Sequence, residues 1–310
     1  MNNTYERKGI ILAGGNGTRL APITSAISKQ LMPIYDKPMI YYPLTTLMMA
    51  GIKEIILITK KIDIESFKRL FGDGRKLGIS IEYAIQEKPE GIAQAFIIAQ
   101  KFIGNSPVVL ALGDNIFHGS NLIQSLKKAN SNYYNSTIFA YPVKDPERYG
   151  VVEFDSNFNI LSIEEKPKKP KTIYAITGLY FYDNSVIEKV LKLKPSNRGE
   201  LEITSLNQLF LEEKKLKIEI LGRGTAWLDT GTCDSLHEAS AYIRTLEQRQ
   251  GLKVGCPEEV SWRQKWITTK DLQKLAKPLL KSGYGKYLMQ LIKTNSSKNR
   301  YFLGNIPDTL

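Results

Sequence analysis

Residues 9–20, which read GIILAGGNGTRL, end an apolar run in a glycine-rich turn that leads to a cation, Arg19. A second cation, Lys29, follows ten positions later in the segment SKQLMP. Glycines let backbone N–H groups approach phosphate oxygens, and arginine and lysine supply the opposing charge. This spacing predicts a site for a polyphosphate.

The pattern differs from the two commoner phosphate-binding loops. A Walker loop requires a lysine directly after its last glycine, and the dinucleotide fingerprint requires a glycine where this chain has Leu20. A tight strand-to-helix turn with no ligand remains an alternative interpretation of the glycines by themselves.

Two aspartates follow short apolar runs. Asp114 comes after residues 108–112, and Asp229 comes after residues 226–228. In open α/β sheets, ligands bind at the carboxyl ends of the strands, and carboxylates are ligands that Mg²⁺ prefers. The pair is therefore predicted to bind one Mg²⁺, with helix-cap or turn roles as the alternative.

A further charged pair, Glu165 and Lys166, ends another apolar run. Lys166 is placed to reach an anionic substrate and Glu165 to accept from sugar hydroxyls, unless the pair is a surface turn. The chain has only two histidines, His118 and His237, and no serine or cysteine stands in a nucleophile-elbow pattern. This composition favours phosphoryl or nucleotidyl transfer, in which positioning and charge neutralisation do most of the catalysis.

The elements that must position these residues alternate between strands and helices in the first part of the chain. This alternation predicts a mainly parallel sheet covered on both faces. Predicted strands are 8–12, 54–59, 79–85, 108–112, 137–143, 150–154, 160–165, 174–182, 218–221 and 226–228. Predicted helices are 38–50, 91–102, 185–193, 203–213, 232–250 and two within 271–293.

The predicted fold is therefore α/β: a Rossmann-like mixed, mainly parallel sheet flanked by helices, with a small β sugar-binding subregion and C-terminal helices. Residues 1–250 form the α/β domain, with a nucleotide-binding part at about 8–135 and a sugar-phosphate-binding part at about 136–250. These parts are expected to share one core. Residues 251–310 form a C-terminal helical segment and tail, of which 294–310 are expected to be loosely held.

Composition excludes several classes of protein. The chain has 310 residues, of which 42% are hydrophobic and 24% charged, as is usual for a soluble globular protein. No apolar stretch is long enough to cross a bilayer, and residues 1–8 are polar, so we expect a cytoplasmic protein with no signal peptide and no membrane partner. Cys233 and Cys256 are expected to be reduced thiols.

The net charge of +12 raises the possibility of nucleic-acid binding. Residues 251–300 contain eleven Lys or Arg and three Asp or Glu, and these charges are spread at helix-like intervals rather than interleaved with aromatics that are expected to be exposed. A solvated lysine-rich face and anionic small substrates explain this distribution better, so no nucleic-acid partner is expected.

Nine short motifs, taken together and in order, resemble those of the sugar-1-phosphate nucleotidylyltransferases, and in particular of members that use dTTP and glucose 1-phosphate. They are residues 12–20 (LAGGNGTRL), 28–33 (SKQLMP), 35–43 (YDKPMIYYP), 113–117 (GDNIF), 144–153 (KDPERYGVVE), 164–167 (EEKP), 177–183 (TGLYFYD), 198–204 (RGELEIT) and 226–232 (AWLDTGT). The resemblance covers residues from about Lys8 to about Ile267.

The resemblance implies transfer of the thymidylyl group of dTTP to α-D-glucose 1-phosphate, giving dTDP-glucose and pyrophosphate, as the first step of dTDP-rhamnose-type sugar-nucleotide synthesis. It implies charge neutralisation by Arg19, Lys29 and Lys166, and Mg²⁺ bound by Asp114 and Asp229. The implied nucleotide-binding residues are Leu12, Gly14, Gly15, Gly17, Gln86, Pro89 and Gly91. The implied sugar-phosphate-binding residues are Tyr149, Gly150, Glu165, Lys166 and Thr177.

The resemblance also implies a homotetramer with a second nucleotide site for feedback by a dTDP-sugar product. Candidate residues for that site are His118, Gly119, Arg223, Glu259 and Arg263. Two other hypotheses stay open: an enzyme that uses UTP or another hexose phosphate, and a nucleotide-sugar-binding regulator without turnover.

Overall fold

The computed structural model describes residues 6–296 of the chain. Its strands are β1 Lys8–Ala13, β2 Pro33–Ile34, β3 Lys37–Pro38, β4 Glu54–Thr59, β5 Ser80–Ile85, β6 Val108–Leu112, β7 Asn115–Gly119, β8 Ser136–Pro142, β9 Gly150–Phe154, β10 Ile160–Glu165, β11 Tyr174–Tyr182, β12 Leu216–Ile220 and β13 Thr225–Asp229. Its α-helices are α1 Tyr41–Met49, α2 Ile64–Phe71, α3 Gln94–Ile98, α4 Gln100–Ile103, α5 Leu122–Ser131, α6 Val186–Val190, α7 Ile203–Glu212, α8 Cys233–Gln250, α9 Pro257–Arg263, α10 Thr269–Ala276 and α11 Gly283–Ser296.

A single large sheet takes strands from both parts of the α/β domain. Its main path runs β10-β9-β11-β6-β1-β4-β5, and β8 joins β11 and carries β12. The strands β6, β1, β4 and β5 are parallel, whereas β11 is antiparallel to β6. The prediction of a mixed, mainly parallel α/β sheet is confirmed.

Helices cover both faces of this sheet, because alternate residues of each central strand point to opposite sides. In β1, Ile11 belongs to the core beneath α1, α2 and α5, while Ile10 belongs to the core beneath α3, α6 and α7. The same alternation continues in β6 and β11, so each core includes residues from both halves of the domain.

The carboxyl ends of the parallel strands define one edge of the sheet. The glycine-rich turn follows β1, Gln86 follows β5, and Asp114 follows β6. The antiparallel ribbon of β7 and β13 begins at the same edge, directly after Asp114. Residues that are far apart in the sequence are thereby brought to one place, where ligands bind in open α/β sheets.

The C-terminal helices α9, α10 and α11 form their own apolar cluster, which includes Leu272 and Leu288 and packs against Tyr41 of α1. A buried ionic cluster makes a second connection to the α/β domain. Lys37 lies 2.8 Å from Glu247 and 2.6 Å from Asp36, and Lys253 pairs with both of these carboxylates. The cluster joins the β2–β3 hairpin to the end of α8 and the loop that follows it.

The structure corrects several predicted element boundaries. The helix expected at 38–50 begins at Tyr41, because Lys37–Pro38 pairs with β2. The helix expected at 91–102 is divided into α3 and α4 at Ala99. The helices α2, α5 and α9 and the strand β7 were not predicted.

The ends of the C-terminal region also differ in part from expectation. The two helices predicted within 271–293 are confirmed as α10 and α11. Helix α11 includes residues 294–296, which were expected to be irregular, and the rest of the predicted tail, 297–310, lies outside the described residues. No helix within residues 6–296 has the length and apolar character needed to cross a membrane.

The ionic cluster leads to a stability prediction. The side chains of Lys37 and Glu247 are only 2% and 3% exposed, so Glu247→Gln would leave two buried ammonium groups to share Asp36. We expect the free energy of unfolding to fall by about 3 kcal/mol, measured by urea denaturation. Glu188→Gln breaks an exposed pair with Lys192 and should leave the midpoint nearly unchanged. Equal effects of the two substitutions would contradict this view of the cluster.

Candidate active site

The β7–β13 ribbon brings Asp114 and Asp229 together. Asp229 lies directly opposite Asn115 in the ribbon, so it is adjacent to Asp114. Thr230 reinforces this register, because its backbone N–H and its hydroxyl both donate to the carbonyl oxygen of Asp114, at 3.3 and 2.9 Å. The two predicted metal ligands therefore lie at the same end of one ribbon.

Cations surround this acidic pair. The Nζ of Lys29 lies 2.5 Å from Oδ2 of Asp114. Burial, and then the negative charge of Asp114, raise the pKa of the Asp229 carboxyl, while Lys29, Arg19 and Arg148 act in the opposite direction. The guanidinium of Arg19 packs directly against Gly231, two residues after Asp229. This approach requires a glycine, because a Cβ at position 231 would lie only 3.0 Å from Nη2 of Arg19.

The donor set of this pair fits a divalent cation. Two hard carboxylate groups in a partly buried position are the kind of site that Mg²⁺ or a similar ion occupies together with water and substrate phosphates. Within residues 6–296, no group of three or more His, Cys, Asp or Glu side chains is arranged to hold a metal ion, so an ion at this pair would take its other ligands from water and phosphates.

A cavity of about 290 Å³ opens beside the acidic pair. It collects most of the residues predicted to contact the sugar phosphate, together with one predicted phosphate ligand. Among its lining residues are Arg19, Asp114, Tyr149, Gly150, Glu165, Lys166 and Asp229. The predicted metal pair and the predicted sugar-phosphate residues therefore share one space.

Glu165 and Lys166 are fixed at the wall of this cavity. Oε2 of Glu165 accepts from the hydroxyl of Thr204 at 2.5 Å. Lys166 has a positive φ of 44°, which is uncommon for a residue other than glycine, and its N–H donates to the carbonyl of Tyr149 at 3.0 Å. This backbone hydrogen bond joins the end of β10 to the beginning of β9, so the two segments that carry Tyr149 and Lys166 lie side by side.

Thr177 is not brought into the cavity. Its neighbours Ile176 and Gly178 line the cavity, and the alternation of β11 turns Thr177 to the opposite face, where it is 0% exposed. Its hydroxyl has no hydrogen-bond partner among the described residues. This geometry does not support the predicted sugar contact from the side chain of Thr177.

The residues predicted to bind the nucleotide lie around the turn after β1. Gln86 is buried against Gly14, where a Cβ would lie only 2.0 Å from Oε1 of Gln86. Gly17 has a φ of +62° and packs on Thr24, and Gly91 has a φ of +102° and packs on Leu201. Leu12 lies in β1, whereas Gly15 and Pro89 are exposed beside the same edge.

A second cavity, of about 600 Å³, contains four of the five residues predicted for feedback: His118, Gly119, Glu259 and Arg263. Arg223 is exposed in the turn between β12 and β13 and does not line it. Nε of Arg263 donates to Oε1 of Glu259 at 2.8 Å, and its buried Nη2 has no partner within the described part of the chain. Burial lowers the pKa of His118.

Sequence reasoning missed several residues at the first cavity. Asn115 donates to Oδ1 of Asp114 at 3.0 Å and accepts from Nε1 of Trp227 at 2.6 Å. Trp227 in turn packs against Tyr149, with ring centroids 5.2 Å apart. Arg148 and Arg198 line the cavity as well. All four lie within recognised motifs, but only the three-dimensional contacts assign them a role.

Comparison with known proteins identifies relatives of this chain. Residues 8–245 match the family described as nucleotidyl transferase. A glucose-1-phosphate thymidylyltransferase of Neisseria meningitidis is 57% identical, covering 92% of this chain and 99% of the relative. One from Mycobacterium tuberculosis is 59% identical, covering 93% and 100%. A crystal structure of a candidate glucose-1-phosphate thymidylyltransferase from Bacillus anthracis, in complex with sucrose, has a TM-score of 0.71 at 41% identity, covering 77% of this chain and 95% of that one.

The contact between Gly14 and Gln86 can be tested by stability. In Gly14→Ala, the added methyl group would overlap the buried amide of Gln86, so the free energy of unfolding should fall by about 1–3 kcal/mol in urea denaturation. Gly15→Ala is the matched control, because a Cβ at Gly15 meets nothing within 4 Å. An unchanged midpoint for Gly14→Ala would contradict the observed packing.

Proposed function

Because this chain belongs to the nucleotidyl transferase family, we propose that it transfers the thymidylyl group of dTTP to α-D-glucose 1-phosphate, giving dTDP-glucose and pyrophosphate. The observation that carries this proposal is the position of Asp114 and Asp229, which line the first cavity. Three cations lie near this pair: Lys29, Arg19 and Arg148. Such a site places countercharges where a triphosphate and a sugar phosphate would meet.

The proposed reaction is a single in-line displacement. A phosphate oxygen of glucose 1-phosphate attacks the α-phosphorus of dTTP and forms a new P–O bond. The bond from the α-phosphorus to the oxygen bridging to the β-phosphate breaks, and that oxygen leaves with both electrons as part of pyrophosphate. No side chain becomes covalently modified, so the chain's contribution is orientation and charge neutralisation.

Each charged side chain has a proposed part in this displacement. Arg19 and Lys29 neutralise the triphosphate and the leaving pyrophosphate. Lys166 holds the phosphate of glucose 1-phosphate at the cavity wall, and Glu165 accepts from sugar hydroxyls. Buried phosphate charges require such paired cations, because charge-assisted hydrogen bonds are strongest where water is excluded.

Asp114 and Asp229 are proposed as the ligands of Mg²⁺. When bound, this ion would supply positive charge and Lewis acidity at phosphate oxygens. Asn115 and Thr230 hold Asp114 in place for this role, through its carboxylate and its carbonyl oxygen. The nucleotide would lie along Leu12, Gly14, Gly15 and Gly17, with the base beside Gln86, Pro89 and Gly91.

The second cavity is proposed as a feedback site for a dTDP-sugar. The buried Nη2 of Arg263 supports this, because it has no hydrogen-bond partner within residues 6–296 and an anionic ligand would supply one. A homotetramer, a cytoplasmic location and service in dTDP-rhamnose-type synthesis are further proposals that follow from the family resemblance.

Substrate choice tests the proposed function directly. Pyrophosphate release should be fastest with dTTP and glucose 1-phosphate, compared with UTP, dATP and other hexose 1-phosphates. Thymine and uracil differ by one methyl group, so the preference for dTTP over dUTP, which shares the deoxyribose, should lie within about 10- to 200-fold. Binding of dTDP-glucose without any pyrophosphate release would favour a regulator instead.

Removal of one carboxylate charge tests the proposed metal ligands. Asp114→Asn and Asp229→Asn should each lower kcat by on the order of 10²–10³, because a neutral amide is a poorer Mg²⁺ ligand and the ion's positive charge is no longer held at the phosphates. The measurement is pyrophosphate release across a Mg²⁺ titration, and added Mg²⁺ should restore little activity. Wild-type rates in both variants would show that this acidic pair is not the metal site.

The role of Arg19 can be separated from sugar-phosphate binding. Arg19→Ala should lower kcat with dTTP by roughly 10²-fold while changing the affinity for glucose 1-phosphate little, since the guanidinium is proposed to act on the triphosphate. Steady-state kinetics and isothermal titration with glucose 1-phosphate measure the two effects. A large loss of sugar-phosphate affinity with unchanged kcat would reverse the assignment.

A further inference from the structure

The buried amide of Gln86 is oriented by a short chain of hydrogen bonds that ends at Glu90. Nε2 of Gln86 donates to Oε1 of Gln94, on α3, at 2.6 Å. The same Oε1 accepts from the backbone N–H of Glu90 at 3.2 Å. Nε2 of Gln94 donates to Oε2 of Glu90 at 2.7 Å. Gln94 is thus held at both ends of its amide.

The direction of each amide in this chain follows from groups that cannot be reversed. A backbone N–H is only a donor, and a carboxylate is only an acceptor. Gln94 must therefore turn its oxygen to the N–H of Glu90 and its nitrogen to the carboxylate of Glu90. Because the oxygen of Gln94 then faces Gln86, Gln86 must present its own nitrogen there. The orientation of the Gln86 amide therefore follows from the hydrogen bonds alone.

The backbone of Glu90 is itself held in place. The backbone N–H of Leu201 donates to the carbonyl of Glu90 at 2.7 Å, and the carbonyl of Leu201 accepts from Ala93 at 3.2 Å. Gly91 lies between these two bonds, and a Cβ there would lie 2.4 Å from the carbonyl oxygen of Leu201. The loop before α3 is therefore hydrogen-bonded to the segment that contains Leu201, and this contact fixes the start of the helix that carries Gln94.

This orientation has a consequence for the nucleobase. With one N–H engaged by Gln94, Gln86 offers its Oε1 as an acceptor next to Gly14, and its second N–H as a donor. Thymine presents the complementary pair, an N3–H donor beside the O4 acceptor. Cytosine presents the reverse, an N3 acceptor beside the N4 amino donor. Only a reversed Gln86 amide would match cytosine.

We propose that Gln94 and Glu90 are positioning residues that give this enzyme its preference for a thymine-type base, by fixing the direction of the Gln86 amide. The inference rests on the proposed function, in which Gln86 meets the base. Neither residue is proposed to contact the nucleotide, so the effect of substituting them is on selectivity rather than on the chemical step.

The test compares kcat/KM for dTTP, dCTP and dUTP in wild type and in Gln94→Met. Methionine has a similar length but cannot accept a hydrogen bond from the Gln86 amide in the same way. The ratio of kcat/KM for dTTP to kcat/KM for dCTP should therefore fall by about 5- to 150-fold, which is the discrimination that one bidentate contact provides. The ratio of dTTP to dUTP should not change, because it depends on the 5-methyl group. Gln100→Met, at an exposed glutamine in the next helix, is the matched control and should leave both ratios unchanged.

A paired substitution separates orientation from simple loss of packing. In the double variant Glu90→Gln with Gln94→Glu, the carboxylate at position 94 still accepts from Gln86. The amide at position 90 then donates to the carboxylate at position 94. The dTTP:dCTP ratio should therefore return to the wild-type value. A uniform loss with all three nucleotides in Gln94→Met, with the ratios unchanged, would overturn the inference and leave the proposed function standing. Failure of the wild-type enzyme to use dTTP would overturn the proposed function itself.

Discussion

Two carboxylates that share one end of a ribbon must be balanced by positive charge, and the site is organised by this requirement. Burial and the negative charge of Asp114 raise the pKa of the Asp229 carboxyl, and nearby cations stabilise its ionised form. Lys29 supplies one of them, at 2.5 Å from Asp114. Arg19 supplies another, admitted by the absence of a side chain at Gly231. A divalent ion with phosphate ligands fits the same balance, which is why the acidic pair and the glycine-rich turn belong to one site.

The sheet explains how the two halves of the chemistry come together. Parallel strands β1, β5 and β6 deliver the glycine-rich turn, Gln86 and Asp114 to one edge. The antiparallel strands β9, β10 and β11 continue the same sheet and line the cavity where the sugar phosphate is proposed to bind. Asn115 connects the two sides, because its amide binds Asp114 and also receives the N–H groups of Trp227 and Gly178. Asn115 therefore links Asp114 to β11 and β13.

Much of the fold could be predicted from the sequence, because apolar periodicity is a local property. The long helix α8 and the apolar strands β1, β4 and β6 were predicted at nearly their observed bounds. Helix α2 was missed because it has only about two turns, so the helical spacing of Phe67 and Phe71 extends over too few residues to stand out in the sequence. The start of α1 was misplaced because pairing of β3 with β2, a tertiary contact, determines the conformation of Lys37 and Pro38.

The candidate site divides in the same way. Charged residues at strand ends, such as Asp114, could be found from residue type and position, and Lys166 by its place in a motif. The direction in which a side chain points could not, as the burial of Thr177 on the far face of β11 shows. The positioning amides of Asn115 and Gln94 carry no charge and no unusual spacing, so only their partners reveal what they do.

The most direct measurement of the central claim is anomalous diffraction from crystals grown with Mn²⁺ and a non-hydrolysable dTTP analogue. One anomalous peak should lie between the carboxylates of Asp114 and Asp229, with Arg19 and Lys29 on the phosphates of the analogue. A peak bound at some other position on the protein, with Asp114 and Asp229 making no contact to it, would contradict the account.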